Sequence, residues 1–226
     1  AARRSVRAFE DRDIPGEVRA AILEAAAQAP TAGNQQLYTI LDVTDPQLKA
    51  RLAETCDHQP FIAQAPMVLI FLADVCKWLD AYREAGCGPR APGAGDLMLA
   101  ASDAAIAAQN AVTAAWSLGV GSCYIGDVME RCEEHREMLN LPPHVFPAAM
   151  LVLAAVLLSA LSLRLDGTAT PLPYTVALAR GDIAAAEGLR FRTVRLPAAL
   201  GHRLRRTRQH MGHHPPSGEQ PGQRPP

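Results

Sequence analysis

What this chain lacks removes several function classes before any motif is read. Its five cysteines (Cys56, Cys76, Cys87, Cys123 and Cys132) are odd in number and form no CxxC pair. Neither a disulfide framework nor a zinc ribbon can be read from them. There is no HExxH, no paired metal-ligand spacing and no P-loop, which argues against a metal site. Gly119 and Gly121 begin a GxG, but Tyr124 stands where the third glycine belongs, so the dinucleotide fingerprint fails. No internal repeat is visible. No secretory leader opens the sequence, and reduced thiols in a cytoplasmic setting are the expectation. The apolar run from Val145 to Leu163 has the length of a membrane span. Pro147 interrupts it, however, and short buried strands give the same pattern.

What is present fits a globular protein: 226 residues, 49% hydrophobic and 20% charged, enough for one sizeable core or one domain with an appendage. The net charge of −1 hides an asymmetry. Residues 1–150 hold 12 Lys+Arg against 19 Asp+Glu, whereas residues 151–226 hold 10 against 4. A split of that kind marks a change of character along the chain.

Local patterns predict alternating elements. A helix over Ile14–Gln28 is expected, with Asp13 as its cap and Pro15 in its first turn. "PTAGNQQ" then reads as a polar loop in which Gly33 and Asn34 break the helix. Strands are expected at 37–43, 67–73 and 148–156, and a strand and turn over 120–127. The second is apolar throughout, as a strand covered on both faces would be. Helices are expected over 46–54, 96–118 and 128–139; the alanine-rich second one should be buried nearly all round. Residues 84–95 read as a Gly/Ala/Pro loop. An α+β or α/β core with a modest sheet follows. After about Ala154 the periodicity fails, and the stretch from 189 to 226, basic and rich in Pro and Gly, is expected to be disordered.

"RRSVRAF" places three arginines and a serine within five positions. Arginine forks bind phosphate oxygens bidentately; a solvated basic face would look the same in sequence. The order in which other segments follow narrows the choice: an amphipathic helix, "APTAGNQQ", "FIAQAPMVLIFLAD", then "DAAIAAQNAVTAAWSLGVGSCYIGD". This ordered set resembles the nitroreductase family of FMN-dependent oxidoreductases over roughly residues 3–153.

The resemblance implies an α+β fold, a three-layer α/β/α sandwich with a mostly antiparallel central sheet, in an interlocked homodimer. It implies FMN as cofactor. Arg3 and Ser5 would hold its phosphate with Arg4 beside them, and Arg7 would approach the O2 side of the ring. There a cation favours the reduced anion. Pro30, Thr31, Ala32 and Asn34 would reach the flavin from the second subunit, with Gln59 also near the ring. Tyr124, Ile125 and Gly126 would line the N5 edge. Hydride would pass from NAD(P)H through flavin N5 to a nitroaromatic, quinone or flavin acceptor, so no catalytic side chain of the protein is required. In the bland readings, Gly33 and Asn34 serve only conformation, Cys123 is a buried structural thiol and Trp116 belongs to the core.

The resemblance also breaks. The family follows the strand at "MLVL" with Gly-Tyr-Pro and a basic stretch that completes the phosphate site; here "AAVLLSALSLRLDGTATPLPYT" follows. Three parts are therefore expected: an FMN-binding domain over 1–153, an atypical segment over 154–188 in place of the family's C-terminal wrap, and the tail over 189–226. A shifted reading frame in G+C-rich coding would produce such a change; so would an extension with a role of its own. The rival function is a flavin-binding member that cannot turn over. Nucleic-acid binding through the basic tail has no aromatic interleaving behind it.

Overall fold

The computed structural model describes residues 3–155 and 191–194. Expectations for the rest of the atypical segment and the tail lie outside the described residues. In chain order the elements are α1 (Gly16–Ala27), β1 (Tyr38–Val43), α2 (Pro46–Thr55), α3 (Pro60–Gln64), β2 (Met67–Asp74), α4 (Cys76–Glu84) and α5 (Ala94–Ser117). They continue with β3 (Val120–Ile125), α6 (Asp127–Glu130), α7 (Cys132–Met138), β4 (Val145–Ala155) and β5 (Phe191–Val194).

The strands form one sheet in the order β3-β4-β2-β1-β5, every neighbouring pair antiparallel. Side chains alternate across a strand, and β2 shows what this achieves. Met67, Leu69, Phe71 and Ala73 face a core built with α1 and α5, whereas Val68, Ile70 and Leu72 face a second core built with α2 and α3. Burial on both faces explains the unbroken apolar run. The three-layer α/β/α arrangement is therefore as expected. Pro147 pairs with Leu72, and the register of β2 against β4 shifts between Phe71 and Leu72. Proline has no N–H to give the ladder, so an irregularity belongs there.

Several boundaries differ from expectation. The first helix starts at Gly16, with Pro15 rather than Asp13 at its N-cap and no side-chain cap bond. The helix expected over 128–139 is two, broken at Arg131. β4 begins at Val145, so the apolar run there starts as a strand. Among the described residues, no helix is long and apolar enough to cross a membrane. α5 buries only one side: Ala100, Ala104, Ala107, Ala108, Ala111 and Ala115 press on the sheet, while Leu97, Met98, Leu99 and Ile106 stay exposed. Alanine allows that close approach on one face, and hydropathy alone cannot tell the two faces apart.

Across the layers, Arg19 of α1 donates from Nη2 to both oxygens of Asp42 on β1 (3.0 and 2.7 Å) and from Nη1 to the Pro66 carbonyl. Phe71, fully buried at the centre of the sheet, gives a direct test of the packing. Phe71→Ala should lower unfolding stability by about 3–5 kcal/mol, read as a shift of the urea midpoint at unchanged slope.

Candidate functional site

The N-terminal segment adds itself to the edge of the sheet. The backbone N–H of Val6 donates to the Ser122 carbonyl at 3.0 Å, and Ser5 bridges Ser122 in parallel. Further along, Glu10 N–H reaches the Ala155 carbonyl at 3.3 Å. Val6 is the buried anchor of the segment; Arg3, Arg4, Ser5 and Arg7 around it are exposed. Two motifs more than 100 residues apart in sequence thus become neighbours.

The guanidiniums are uncommitted. Arg12, Arg19, Arg83, Arg90 and Arg131 each meet a carboxylate. Among the described residues, no such pair involves Arg3, Arg4 or Arg7. Arg3 lies close enough to Tyr124 for its charge to act on the phenol, although burial dominates and pushes that group up to about 12. Tyr124 is 37% exposed, and its hydroxyl reaches the Gln109 side-chain oxygen at 3.5 Å. Ile125 beside it is buried, and a Cβ built on Gly126 would meet nothing within 4 Å. The end of β3 therefore offers an aromatic edge and open space, with the Arg3 charge within reach of Tyr124. Cys123 is buried, its thiol donating to the Tyr124 carbonyl at 3.4 Å, which fits a structural thiol. Trp116 is half-buried rather than a core residue.

The loop from Pro30 to Gln36 is held in an unusual conformation. Gly33 (φ 56°), Asn34 (φ 55°) and Gln36 (φ 53°) are all left-handed, a region that is unfavourable for side chains other than glycine. Asp103 of α5, only 2% exposed, accepts from Ala32 N–H (3.0 Å) and Leu37 N–H (3.2 Å). From α4, Trp78 Nε1 donates to the Gln35 carbonyl (2.8 Å) and Lys77 Nζ to the Gln36 carbonyl (2.9 Å). Thr31 Oγ1 accepts from Gln36 N–H at 3.2 Å. Among the described residues, no hydrogen bond joins this loop to Arg3–Arg7 or to Tyr124–Gly126.

Gln59 spends both amide hydrogens on the protein, donating to the Cys56 carbonyl (2.9 Å) and to Asp127 (3.1 Å). Its side-chain oxygen alone is left for a ligand. The same region holds a pairing that sequence spacing does not reveal: Cys56 Sγ lies 3.8 Å from His135 Nε2. Burial first, and then the Asp127 charge, push the Cys56 thiol up to about 12, so no thiolate nucleophile forms near neutral pH. A cleft of about 450 Å³ lined by Glu54, Thr55, Asp57, His58, Asp127, Glu130 and Arg131 carries four carboxylates, the wrong charge for a phosphate. Among the described residues, no group of three or more His, Cys, Asp or Glu side chains could hold a metal ion.

Comparison with known proteins decides what this geometry belongs to. The model of the nitroreductase family matches residues 1–156. The chain belongs to the nitroreductase family. It is 36% identical over 152 residues to an FMN reductase [NAD(P)H] of Bacillus subtilis strain 168, covering 66% of this chain and 61% of that protein. It is also 36% identical over 144 residues to an oxygen-insensitive NADPH nitroreductase of Salmonella typhimurium, covering 64% and 58%. Among solved structures, NfrA2 of Bacillus megaterium superposes with a TM-score of 0.65 at 34% identity, over 67% of this chain and 62% of that one. The chain thus spans about three-fifths of the length of the nitroreductase relatives it matches.

Sequence reading missed Asp103, Trp78 and Lys77. Only Asp103 carried a signal: it is the sole charge between Leu97 and Leu118. Its charge, after burial, also raises the phenol of Tyr38 to about 12. A phenol raised above its unfolded value of about 10 keeps its proton longer in the native state; the stability it contributes is full below pH ~10 and is lost as pH rises toward ~12. The urea midpoint of the wild type should therefore fall more steeply across that window than that of Tyr38→Phe.

Proposed function

We propose that this nitroreductase-family chain is an FMN-dependent oxidoreductase that takes hydride from NAD(P)H and passes electrons to a nitroaromatic, quinone or flavin acceptor. The observation that carries the reading is the N-terminal segment pinned to β3 at Ser122, with Arg3, Arg4 and Arg7 exposed and unpaired among the described residues and Arg3 within electrostatic reach of Tyr124. A phosphate needs unneutralised guanidiniums, and a planar ring needs open space at a strand end.

Arg3 and Ser5, with Arg4 beside them, hold the phosphate. Arg7 sets a positive charge on the O2 side of the ring. Tyr124, Ile125 and Gly126 flank the ring edge, and Pro30, Thr31, Ala32 and Asn34 enter from a second copy of the chain. The exposed apolar residues of α5, with Met98 68% exposed, support a homodimer, since such a surface favours burial against a partner. Gln59, its amide nitrogen held by Cys56 and Asp127, keeps its remaining oxygen for the ring. FMN supplies the two-electron transfer chemistry; the chain binds, orients and leaves room for donor and acceptor to take turns. Five free cysteines among the described residues fit a reducing compartment such as the cytoplasm.

Two measurements on the full chain test this. FMN added to the protein should lose fluorescence on binding, and Arg3→Ala should weaken that affinity about 10- to 100-fold, the equivalent of one charge-assisted hydrogen bond. FMN-loaded protein should oxidise NADPH or NADH in the presence of a quinone faster than free FMN does. Binding without turnover would favour the second reading, a flavin-binding member that is not an enzyme, which rests on the missing Gly-Tyr-Pro after Leu153. No binding would remove both.

A further inference from the structure

We infer that Asp103 is the positioning residue of the proposed flavin site, a buried carboxylate that sets the shape of the 30–36 loop in advance of any ligand. The inference rests on the cofactor reading above. Ala32 and Leu37 bracket the loop, and their N–H groups converge on the two oxygens of one side chain that is 2% exposed. A buried carboxylate is costly unless it accepts hydrogen bonds, so the carboxylate and the loop fix one another.

The arrangement has a second half. Between those two amides lie three left-handed residues, Gly33, Asn34 and Gln36. Such residues persist only where surrounding contacts over-determine them. Trp78 and Lys77 of α4 supply those contacts by donating to the carbonyls of Gln35 and Gln36. Donors come from one helix and acceptors from the other, and the loop is stretched between them. Pro30, Gly33 and Asn34 stay exposed, and that surface is what the loop offers to a partner's ligand. A loop already in its bound shape spends less ordering entropy on association. Asp103 acts through the loop, not on the reacting atoms.

The test compares three variants of the full chain. Asp103→Asn keeps the shape but turns one acceptor into a donor aimed at an N–H. FMN affinity, read from fluorescence loss on titration, should fall at least about 10-fold. Trp78→Phe removes only the indole bond to Gln35 and should weaken FMN by about 3-fold; it serves if Asp103→Asn does not fold. Asp42→Asn, which loosens the buried pair with Arg19 on the sheet, is the control that destabilises without touching the loop and should leave FMN affinity unchanged. Amide exchange at Ala32 and Leu37, measured without FMN, should speed up in Asp103→Asn alone.

Faster exchange with unchanged FMN affinity in both loop variants would overturn the inference and leave the cofactor reading standing. An equal loss of affinity in Asp42→Asn would also overturn it, since the effect would then be general destabilisation. A wild-type chain that binds no FMN would overturn both.

Discussion

The pairing of Ser5 and Val6 with Ser122 is the contact on which the proposed site depends. A parallel bridge and one 3.0 Å hydrogen bond convert a charged N-terminal segment into an additional edge of the sheet. Val6, buried against that edge, fixes which residues point outward. Because alternate residues face opposite ways along an extended segment, burying Val6 leaves Ser5 and Arg7 free. Without this pairing the arginines would be a loose basic tail. With it they are held against β3, and Arg3 comes close enough for its charge to act on the Tyr124 phenol.

The rest of the fold exists to hold that edge still. Both faces of β2 and β4 are buried by helices, so the sheet cannot slip in register without exposing a full set of side chains. α5 links the two halves of the proposed site. Its buried Asp103 holds the 30–36 loop, and its exposed Gln109 meets Tyr124. Six residues separate them, about 9 Å along the helix and on different sides of it.

Much of this was legible in sequence, for physical reasons. Continuous apolar strands, the Gly33–Asn34 break and the arginine cluster each act locally, and local patterns survive in a string of letters. α4 was not seen: "CKWLDAYRE" follows a strand directly, and Asp74, whose carboxylate accepts from the Lys77 N–H in its first turn, reads in sequence as the end of that strand. The exposed stripe of α5 was hidden because Leu97, Met98, Leu99 and Ile106 are at least as apolar as the alanines buried on the other side. The clamp on the loop was beyond reach, since Asp103 is 71 and 66 residues from the amides it binds. The Cys56–His135 contact joins residues 79 apart, and geometry alone creates it. Motif order did anticipate that the N-terminal segment and the β3 motif belong together, because it reflects the topology that brings residues 5 and 122 into contact.

The most direct test is the visible absorption spectrum of the purified full-length chain, repeated on the supernatant after denaturation. A yellow protein that releases FMN is the predicted result, and bleaching on addition of NADPH or NADH would follow. A colourless protein that stays colourless after incubation with FMN would contradict the account: three exposed guanidiniums on a segment pinned to β3 would then not be enough to make a flavin site.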